Sequence, residues 1–175
     1  VITIMAANLT SGNYQAYEPP GIRIFEGLQP DIILIQEFNY ESGSLRDLVD
    51  IAFGPGYDYY VEAGGDSIPN GIISRFPILS SGEWNDSQVP NRDFAWAVID
   101  IPGSIDLQVV SVHLKNDSAS TQNLQAQAIL SYVAANFDPT QYIVIGGDMN
   151  TSSRMASAIQ TFDLFLDPYG HTPVD

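Results

Sequence analysis

The sequence predicts a layered α/β domain in which short, buried strands alternate with amphipathic helices. Near-continuous apolar runs occupy residues 2–7, 32–36, 107–112 and 142–146, and runs of this length are typical of strands buried on both faces. Hydrophobic residues make up 45% of the 175-residue chain and charged residues only 15%, which is a globular composition. Strands that are buried on both faces need helices packed outside them, so an α/β arrangement follows.

Further strands and several helices are predicted between these runs. The additional strands lie at residues 94–101 and 72–78, with turn-rich Gly and Pro stretches around them. Ser44 and Asp47 have the spacing of a capping box at the start of one helix. The helices share apolar residues at intervals of three and four, and they cover residues 19–28, 45–53, 126–137 and about 153–162. No repeat or charge run marks a boundary, so residues 1–175 are interpreted as a single domain.

Composition excludes several classes of site. The chain has no Cys, which excludes disulfides, thiolate zinc sites and a Cys nucleophile. Twenty-one acidic residues against six basic ones give a formal net charge of −15, and this charge disfavours a strong, non-specific binder of nucleic acid. No apolar run approaches the roughly 20 residues of a membrane-spanning helix.

The compartment is not fixed by the sequence. Residue 1 is Val and no signal peptide is visible, so we expect a soluble protein, compatible with export from a bacterium after removal of a signal. Sequons for N-glycosylation begin at Asn8, Asn85, Asn116 and Asn150. Because two of these coincide with candidate site residues, passage through a glycosylating pathway is disfavoured and a bacterial source is favoured.

Polar residues with useful chemistry follow each of the four most buried strands. Asn8, Glu37 and His113 come directly after or at the end of the first three runs, and Asp148 with Asn150 follows the fourth. Ligand crevices in α/β proteins form at strand ends. Polar residues also occur there simply because the chain reaches water, but four such positions together favour a functional site.

The residue types predict metal-assisted hydrolysis. Glu37 supplies a carboxylate and Asn8 an amide oxygen, which are ligands that Mg²⁺ prefers. Asp148 could orient or deprotonate an attacking water, while Asn150 could donate a hydrogen bond to phosphate. His113 has a side chain whose ordinary pKa, near 6.5, suits proton transfer.

Five blocks of the sequence resemble a known superfamily. AANLTSG, IILIQE, NGIISRFPI, VSVHLK and GGDMNTS occur in that order between residues 6 and 152, and they resemble the signature blocks of the endonuclease/exonuclease/phosphatase superfamily. This resemblance implies a four-layer α-β-β-α sandwich made of two mixed sheets flanked by helices. It also implies one Mg²⁺ or Mn²⁺ ion and a phosphoester substrate, which could be a nucleic acid or a lipid or sugar phosphate.

The resemblance also implies roles for individual residues. Glu37 matches the metal-ligand glutamate of the family and Asn8 the asparagine beside it. His113 matches the histidine that contacts the scissile phosphate, and Asp148 and Asn150 match the Asp-x-Asn pair that holds the nucleophile and a phosphate oxygen. Two further residues, Asn70 and Arg92, lie in blocks that often line the cleft and are predicted to bind substrate; the alternatives are a turn Asn-Gly and a surface cation.

The sequence departs from the family pattern near its end. The family finishes with an Asp-His pair on a final strand, whereas this chain has His171 after a Gly, only 21 residues beyond Asn150. We therefore interpret His171 as a loop residue and expect the last strands of the domain to be missing. A sheet edge left unpaired could support self-association, and the alternative function is a catalytically impaired or non-catalytic metal- and phosphate-binding relative.

Other hydrolase classes lack their essential parts in this sequence. There is no G-x-S-x-G nucleophile elbow and no G-x-x-x-x-G-K-[ST] phosphate loop. A dinuclear metallophosphoesterase needs several His ligands, and the chain has only two His residues.

Overall fold

The computed structural model describes residues 1–9, 18–63 and 67–151. In that part of the chain, two four-stranded sheets have the strand orders β1-β2-β4-β3 and β5-β6-β7-β8. The strands are β1 (Ile4–Asn8), β2 (Ile32–Gln36), β3 (Asp58–Val61), β4 (Gly71–Ser74), β5 (Ile78–Trp84), β6 (Phe94–Ile99), β7 (Leu107–His113) and β8 (Tyr142–Asp148). The helices are α1 (Glu18–Leu28), α2 (Leu45–Phe53) and α3 (Ala119–Asn136).

The two sheets pack face to face, with helices on both outer sides. Helices α1 and α2 cover the first sheet through a cluster that includes Phe25, Leu48 and Phe53. Helix α3 covers the second sheet, where Ile129 joins the cluster around Trp84. A third apolar cluster fills the space between the sheets. The predicted four-layer α-β-β-α sandwich is therefore confirmed.

Strand alternation divides each central strand between two cores. On β2, Ile33 and Ile35 belong to the helix-facing cluster, whereas Ile32 and Leu34 belong to the cluster between the sheets. Successive side chains of a strand point to opposite faces. Residue 36 therefore shares the inner face with residues 32 and 34. The same alternation on β7 places residues 111 and 113 on the inner face with Leu107 and Val109.

The carboxyl ends of the outer and central strands lie together. β1 runs parallel to β2, with Asn8 opposite Gln36, and β7 runs parallel to β8, with His113 opposite Asp148. Each pair of parallel strands ends at one edge of its sheet. The sheets are packed so that both edges lie at the same end of the sandwich, where these residues line one cavity.

The strand predicted at residues 72–78 is wrong as a single element. The structure ends β4 at Ser74 and begins β5 at Ile78, and the two strands belong to different sheets. Pro77, which has no backbone N–H to donate to a ladder, lies in the crossing segment. The Ser74 hydroxyl replaces ladder bonds there, because it accepts from the Phe76 N–H at 3.0 Å and donates to the Phe76 carbonyl at 2.8 Å. Strand β6 also stops at Ile99, two residues before the predicted end.

The predicted helices are confirmed where they fall within the described residues. Ser44 and Asp47 form the complete capping box of α2. Helix α3 is longer than predicted, because it begins at Ala119 with Ser118 as its N-cap. The predicted helix at 153–162 and His171 lie outside the described residues.

Strands β1 and β8 are the outer strands at one end of their sheets in the described part of the chain. Whether either edge pairs with a second copy remains a prediction. None of the helices in that part is long and apolar enough to cross a membrane.

Gly147 is required by the close approach of the two parallel strands beside the cavity. Its φ of +148° is rare for other residues, and a Cβ there would collide with the Val112 carbonyl oxygen and lie 2.9 Å from Gln36 Nε2. We predict that Gly147→Ala lowers the free energy of unfolding by about 3 kcal/mol. The backbone strain and the clash with a backbone atom can be relieved only by moving a strand.

Gly56→Ala is the matched control for this substitution. No atom lies within 4 Å of a Cβ built at Gly56, and its φ is outside the left-handed region, so its effect should stay within about 1 kcal/mol. Chemical denaturation of both variants measures the difference. Equal stabilities would contradict the proposed constraint at Gly147.

Candidate active site

A polar cavity of about 230 Å³ opens at the carboxyl ends of the parallel strands. Six of the seven residues predicted for the site line it, and they come from both sheets and from the segments that follow them. The lining residues are Asn8, Glu37, Ile68, Arg92, His113, Asn116, Asp148 and Asn150.

Asn8 joins the two carboxylates of the cavity across the sheet interface. Its Nδ2 donates to Glu37 Oε1 at 3.3 Å and to Asp148 Oδ2 at 3.0 Å. One amide group therefore links Glu37, which follows β2 in the first sheet, to Asp148, which ends β8 in the second. Because both carboxylates accept from the same amide group, this bridge helps to keep the two acidic side chains close together.

Glu37 and Asn150 both have unusual backbone conformations. Their φ angles are +53° and +50°, values that few non-Gly residues adopt and that concentrate at functional sites. The turn after β2 is held by bonds from Asn39 N to the Glu37 carbonyl at 2.8 Å and from Phe38 N to the Pro69 carbonyl at 2.9 Å. These bonds fix the direction in which the Glu37 side chain leaves the strand.

Asn150 is held on three sides. Its backbone N–H donates to Asp148 Oδ1 at 2.9 Å, and its Nδ2 donates to the Leu114 carbonyl at 2.8 Å. Its own carbonyl accepts from Gln122 Nε2 at 3.0 Å, and the same Nε2 donates to the Lys115 carbonyl at 2.6 Å. Gln122 on α3 thus fixes both segments that follow the strands β7 and β8.

His113 is a buried residue among those that line the cavity. It is only 6% exposed, and its Nε2 lies 3.6 Å from Asp148 Oδ2. Burial, and then the positive charge of Arg92, lower the pKa of His113 to about 4 against the opposing effect of Asp148. The imidazole is therefore neutral at pH 7, and its contact with Asp148 is not an ion pair at that pH.

Arg92 is the cation among the cavity-lining residues. It is 8% exposed, and its guanidinium donates to the His113 carbonyl at 3.5 Å. Burial lowers the pKa of Arg92, whereas nearby carboxylates raise it, Glu37 and Asp148 among them. Arginine stays protonated under these conditions, so Arg92 offsets part of the negative charge of the cavity.

A buried polar chain supports the wall behind Arg92. Asp86 is 2% exposed, and burial raises the pKa of its carboxyl. Its Oδ2 accepts from Gln125 Nε2 at 2.5 Å, and Gln125 Oε1 in turn accepts from the Lys115 N–H at 2.8 Å. Helix α3 therefore anchors the segment after His113 through buried amide side chains.

Asn70 is the predicted site residue that the structure places elsewhere. Its side chain is fully buried and does not line the cavity; its Nδ2 donates to the Asp93 carbonyl at 2.6 Å. The alternative of a turn Asn-Gly does not describe it either, because Gly71 begins β4.

Sequence reasoning did not assign a site role to Asn116, Ile68 or Gln122. Asn116 and Ile68 line the cavity, and Gln122 holds Asn150. Of these three residues, only Asn116 has a sequence position that indicates a site role, because it follows His113 at a strand end by three residues. Gln122 and Gln125 face inward from a helix whose polar residues would ordinarily be exposed.

The donor set of the cavity suits a hard divalent cation. Glu37 and Asp148 offer carboxylate oxygens, and Asn8 and Asn150 carry amide oxygens. Within residues 1–9, 18–63 and 67–151, no three His, Cys, Asp or Glu side chains cluster as a metal cage. Mg²⁺ usually binds through one or two carboxylates and keeps several waters, so the residues present fit an ion of that kind.

Comparison with known proteins identifies one family. The model of the Endonuclease/Exonuclease/phosphatase family matches residues 15–166 of the chain. No curated protein sequence matches it significantly.

Several solved structures share the fold at low sequence identity. TDP2 from Caenorhabditis elegans is 16% identical, with a TM-score of 0.69 over 85% of this chain and 48% of that one. A beta hairpin deletion mutant of beta toxin from Staphylococcus aureus is 15% identical, with a TM-score of 0.73 over 94% and 72%. A mannosyl-6-phosphatase from Bacteroides thetaiotaomicron is 16% identical, with a TM-score of 0.68 over 94% and 69%. The chain spans about half the length of two of the C. elegans TDP2 structures.

The lowered pKa of His113 predicts a pH dependence of stability. The unfolded chain binds a proton at His113 below the ordinary value of 6.5, whereas the folded protein does so only below about 4. Stability from this residue is therefore complete above pH 6.5 and is lost as the pH falls through 4. The shift corresponds to about 3 kcal/mol at most.

His113→Gln isolates this contribution, because glutamine is a polar side chain of similar size that does not titrate. The free energy of unfolding of the unsubstituted protein should fall more steeply than that of the variant between pH 6.5 and 4.5. Denaturation curves across this range measure the difference. Parallel pH profiles would show that His113 is not held neutral by its surroundings.

Proposed function

Because the chain belongs to the endonuclease/exonuclease/phosphatase family, we propose that its polar cavity hydrolyses a phosphoester with the help of a divalent metal ion. The family membership confirms the resemblance predicted from the sequence blocks. The observation that supports the proposal best is the convergence of Asn8, Glu37, His113, Asp148 and Asn150 on one cavity from two sheets. Asn8, Glu37, His113 and Asp148 are far apart in sequence, and the fold brings them together.

In this proposal Glu37 and Asn8 hold one Mg²⁺ or Mn²⁺ ion. Glu37 provides the carboxylate, and its turn is fixed by the backbone bonds of Asn39 and Phe38. A bound ion of this type would polarise a phosphoryl oxygen and stabilise the charge that develops on it. Asn8 also contacts Asp148, so the metal-binding residues are linked directly to the opposite wall.

Asp148 orients the attacking water and accepts its proton. Its carboxylate has 31% of its side-chain surface accessible, so it can reach a water in the cavity. Its two oxygens already accept from Asn8 Nδ2 and from the Asn150 N–H. These bonds hold the carboxylate in one orientation. A fixed orientation raises the rate of hydrolysis, because the carboxylate and the water are then already positioned for the reaction.

His113, Asn150 and Arg92 bind the phosphate. A neutral His113 carries one N–H and is a poor base at pH 7, because the pKa is lowered to about 4. We therefore assign His113 a hydrogen-bonding role toward the phosphate in preference to general-base catalysis. Arg92 supplies positive charge to the phosphate oxygens. Substrate contact by Asn70 would require a change from its buried position.

The substrate class is a small phosphoester in preference to a long polyanion. The chain carries a net charge of −15, which repels polyanions over most of its surface. The similar structures include an enzyme titled a mannosyl-6-phosphatase, which makes sugar phosphates a reasonable first substrate to assay. Nucleic acid and lipid phosphoesters remain the other classes to compare.

The first test concerns the metal ligand. Glu37→Gln keeps the shape of the side chain and removes its charge, so Mg²⁺ or Mn²⁺ affinity should fall by at least about tenfold without loss of fold. Isothermal titration calorimetry measures the affinity. Glu26→Gln is the control, since Glu26 is exposed on α1 and outside the cavity. Equal binding by both variants would remove Glu37 from the site.

The second test concerns the chemistry. We predict that the chain hydrolyses at least one member of a panel of sugar, lipid and nucleotide phosphoesters with Mg²⁺ or Mn²⁺, and that chelator abolishes the reaction. Asp148→Asn and His113→Ala should each lower the rate by about 10²–10⁴-fold. Thermal melts distinguish this loss from unfolding.

Two outcomes would overturn the proposal in different ways. Unchanged turnover in both folded variants would reject this cavity as the active site. Tight metal and phosphate binding without turnover of any panel member would support the non-catalytic relative instead.

A further inference from the structure

A buried hydrogen-bond pair joins the two sheets directly beneath the cavity. Gln36 on β2 and Ser111 on β7 are both completely buried. Gln36 Nε2 donates to Ser111 Oγ at 2.9 Å and to the Leu34 carbonyl at 3.0 Å, and Ser111 Oγ donates to the Ile35 carbonyl at 3.1 Å. The two side chains therefore form a closed set of bonds between β2 and β7, which belong to different sheets.

This pair is adjacent in sequence to residues from both halves of the site. Gln36 precedes Glu37, and Ser111 lies two residues before His113 on the same face of its strand. Gln36 Nε2 also lies 2.9 Å from where a Cβ of Gly147 would be, beside Asp148. A shift of one sheet against the other would break this contact and would move Glu37 relative to His113.

The polar pair is costly in its surroundings. The neighbouring inner-face residues are apolar and include Leu34 and Val109, and Gln36 Oε1 is buried without a hydrogen-bond partner. Leaving a buried polar atom unsatisfied costs about 1–3 kcal/mol. An apolar residue at position 36 would avoid this cost, so stability alone does not account for Gln36. Directional hydrogen bonds, by contrast, specify one alignment of the sheets, which apolar contacts do only loosely.

We propose that Gln36 and Ser111 are positioning residues that set the alignment of the metal-binding half of the site with its phosphate-binding half. The first half consists of Asn8 and Glu37 and the second of His113 and Asp148. This inference rests on the function proposed above. Asn8 ends β1 and Glu37 follows β2, and these strands are neighbours in one sheet. Loss of the pair therefore changes the distance between the halves while each half stays intact.

Ser111→Ala tests the proposal, and Ser74→Ala is its matched control. Both serines are completely buried in strands, and each hydroxyl makes two hydrogen bonds, but those of Ser74 stay within the Ser74–Phe76 turn. The two variants should lose similar stability. Only Ser111→Ala should lower kcat, by about 10–100-fold, while KM and Mn²⁺ affinity change less than about threefold, because small misplacement of reacting groups is costly.

A direct readout of alignment does not depend on activity. Bound Mn²⁺ broadens the NMR signals of surrounding protons with a steep distance dependence and removes those of its immediate neighbours. The backbone amide protons of β6, which lies beside β7 in the second sheet, therefore report the distance between the halves. We expect this broadening to change in Ser111→Ala and in Gln36→Met, and to be unchanged in Ser74→Ala. The double variant should match the single variants, because removing either partner already breaks the bond. Ser111→Thr, which retains the hydroxyl, should restore the unsubstituted behaviour.

The outcomes separate the two claims. If the unsubstituted protein binds Mn²⁺ and turns over substrate but Ser111→Ala and Gln36→Met behave like Ser74→Ala, the positioning role is wrong and the proposed function stands. If the unsubstituted protein neither binds Mn²⁺ at Glu37 nor hydrolyses a phosphoester, the proposed function fails, and the positioning role fails with it.

Discussion

The packing of the two sheets against each other fixes the geometry of the site. Small side chains such as Ala95 and Ala97 on one inner face allow close approach of Leu34 and Ile72 on the other. Once these faces are packed, the alternation of side chains along each strand determines which face the residues at the strand ends occupy. The strand ends of both sheets then project their polar residues into one cavity. The site is therefore a consequence of the sandwich, and its distances change only if the sheets move relative to each other.

Repulsion between negatively charged side chains opposes the convergence of these residues on one cavity, and neighbouring groups offset part of that repulsion. The cavity contains Glu37 and Asp148 in a chain that is already strongly acidic. Three features moderate the repulsion: the Asn8 amide donates to both carboxylates, Arg92 lies among them, and His113 is kept neutral by burial. A divalent cation between the walls would offset the remaining charge. The same arrangement that is costly for folding would favour binding of the proposed metal ion and phosphate.

Much of this architecture could be predicted from the sequence because its signals are local. Buried strands gave apolar runs, and the capping box at Ser44 marked the start of α2. The polar residues after the strands were visible because each interrupts an apolar run, and six of the seven predicted site residues do line the cavity. Asn70 differs, because whether its side chain faces a cleft or the interior depends on Asp93, which is distant in sequence.

The remaining features depend on partners that no local pattern reveals. The division of residues 71–84 between two sheets follows from how β4 and β5 pair, which the run of apolar residues does not encode. Gln122 and Gln125 resemble exposed helix residues in sequence, yet both are buried and hold segments that follow β7 and β8. In the sequence, Gln36 likewise resembles a polar residue at the end of a strand. Its hydrogen bond to Ser111 depends on the packing of the second sheet against the first.

The most direct test of the account is the position of a bound ion. Crystals of the protein soaked in Mn²⁺ and measured at the manganese absorption edge locate the metal by its anomalous scattering. We predict a single strong peak in the polar cavity, about 2.0–2.2 Å from oxygen atoms of Glu37 and Asn8, the distance that small divalent ions require. A peak elsewhere on the molecule with an empty cavity, at Mn²⁺ concentrations that support phosphoester hydrolysis, would contradict it.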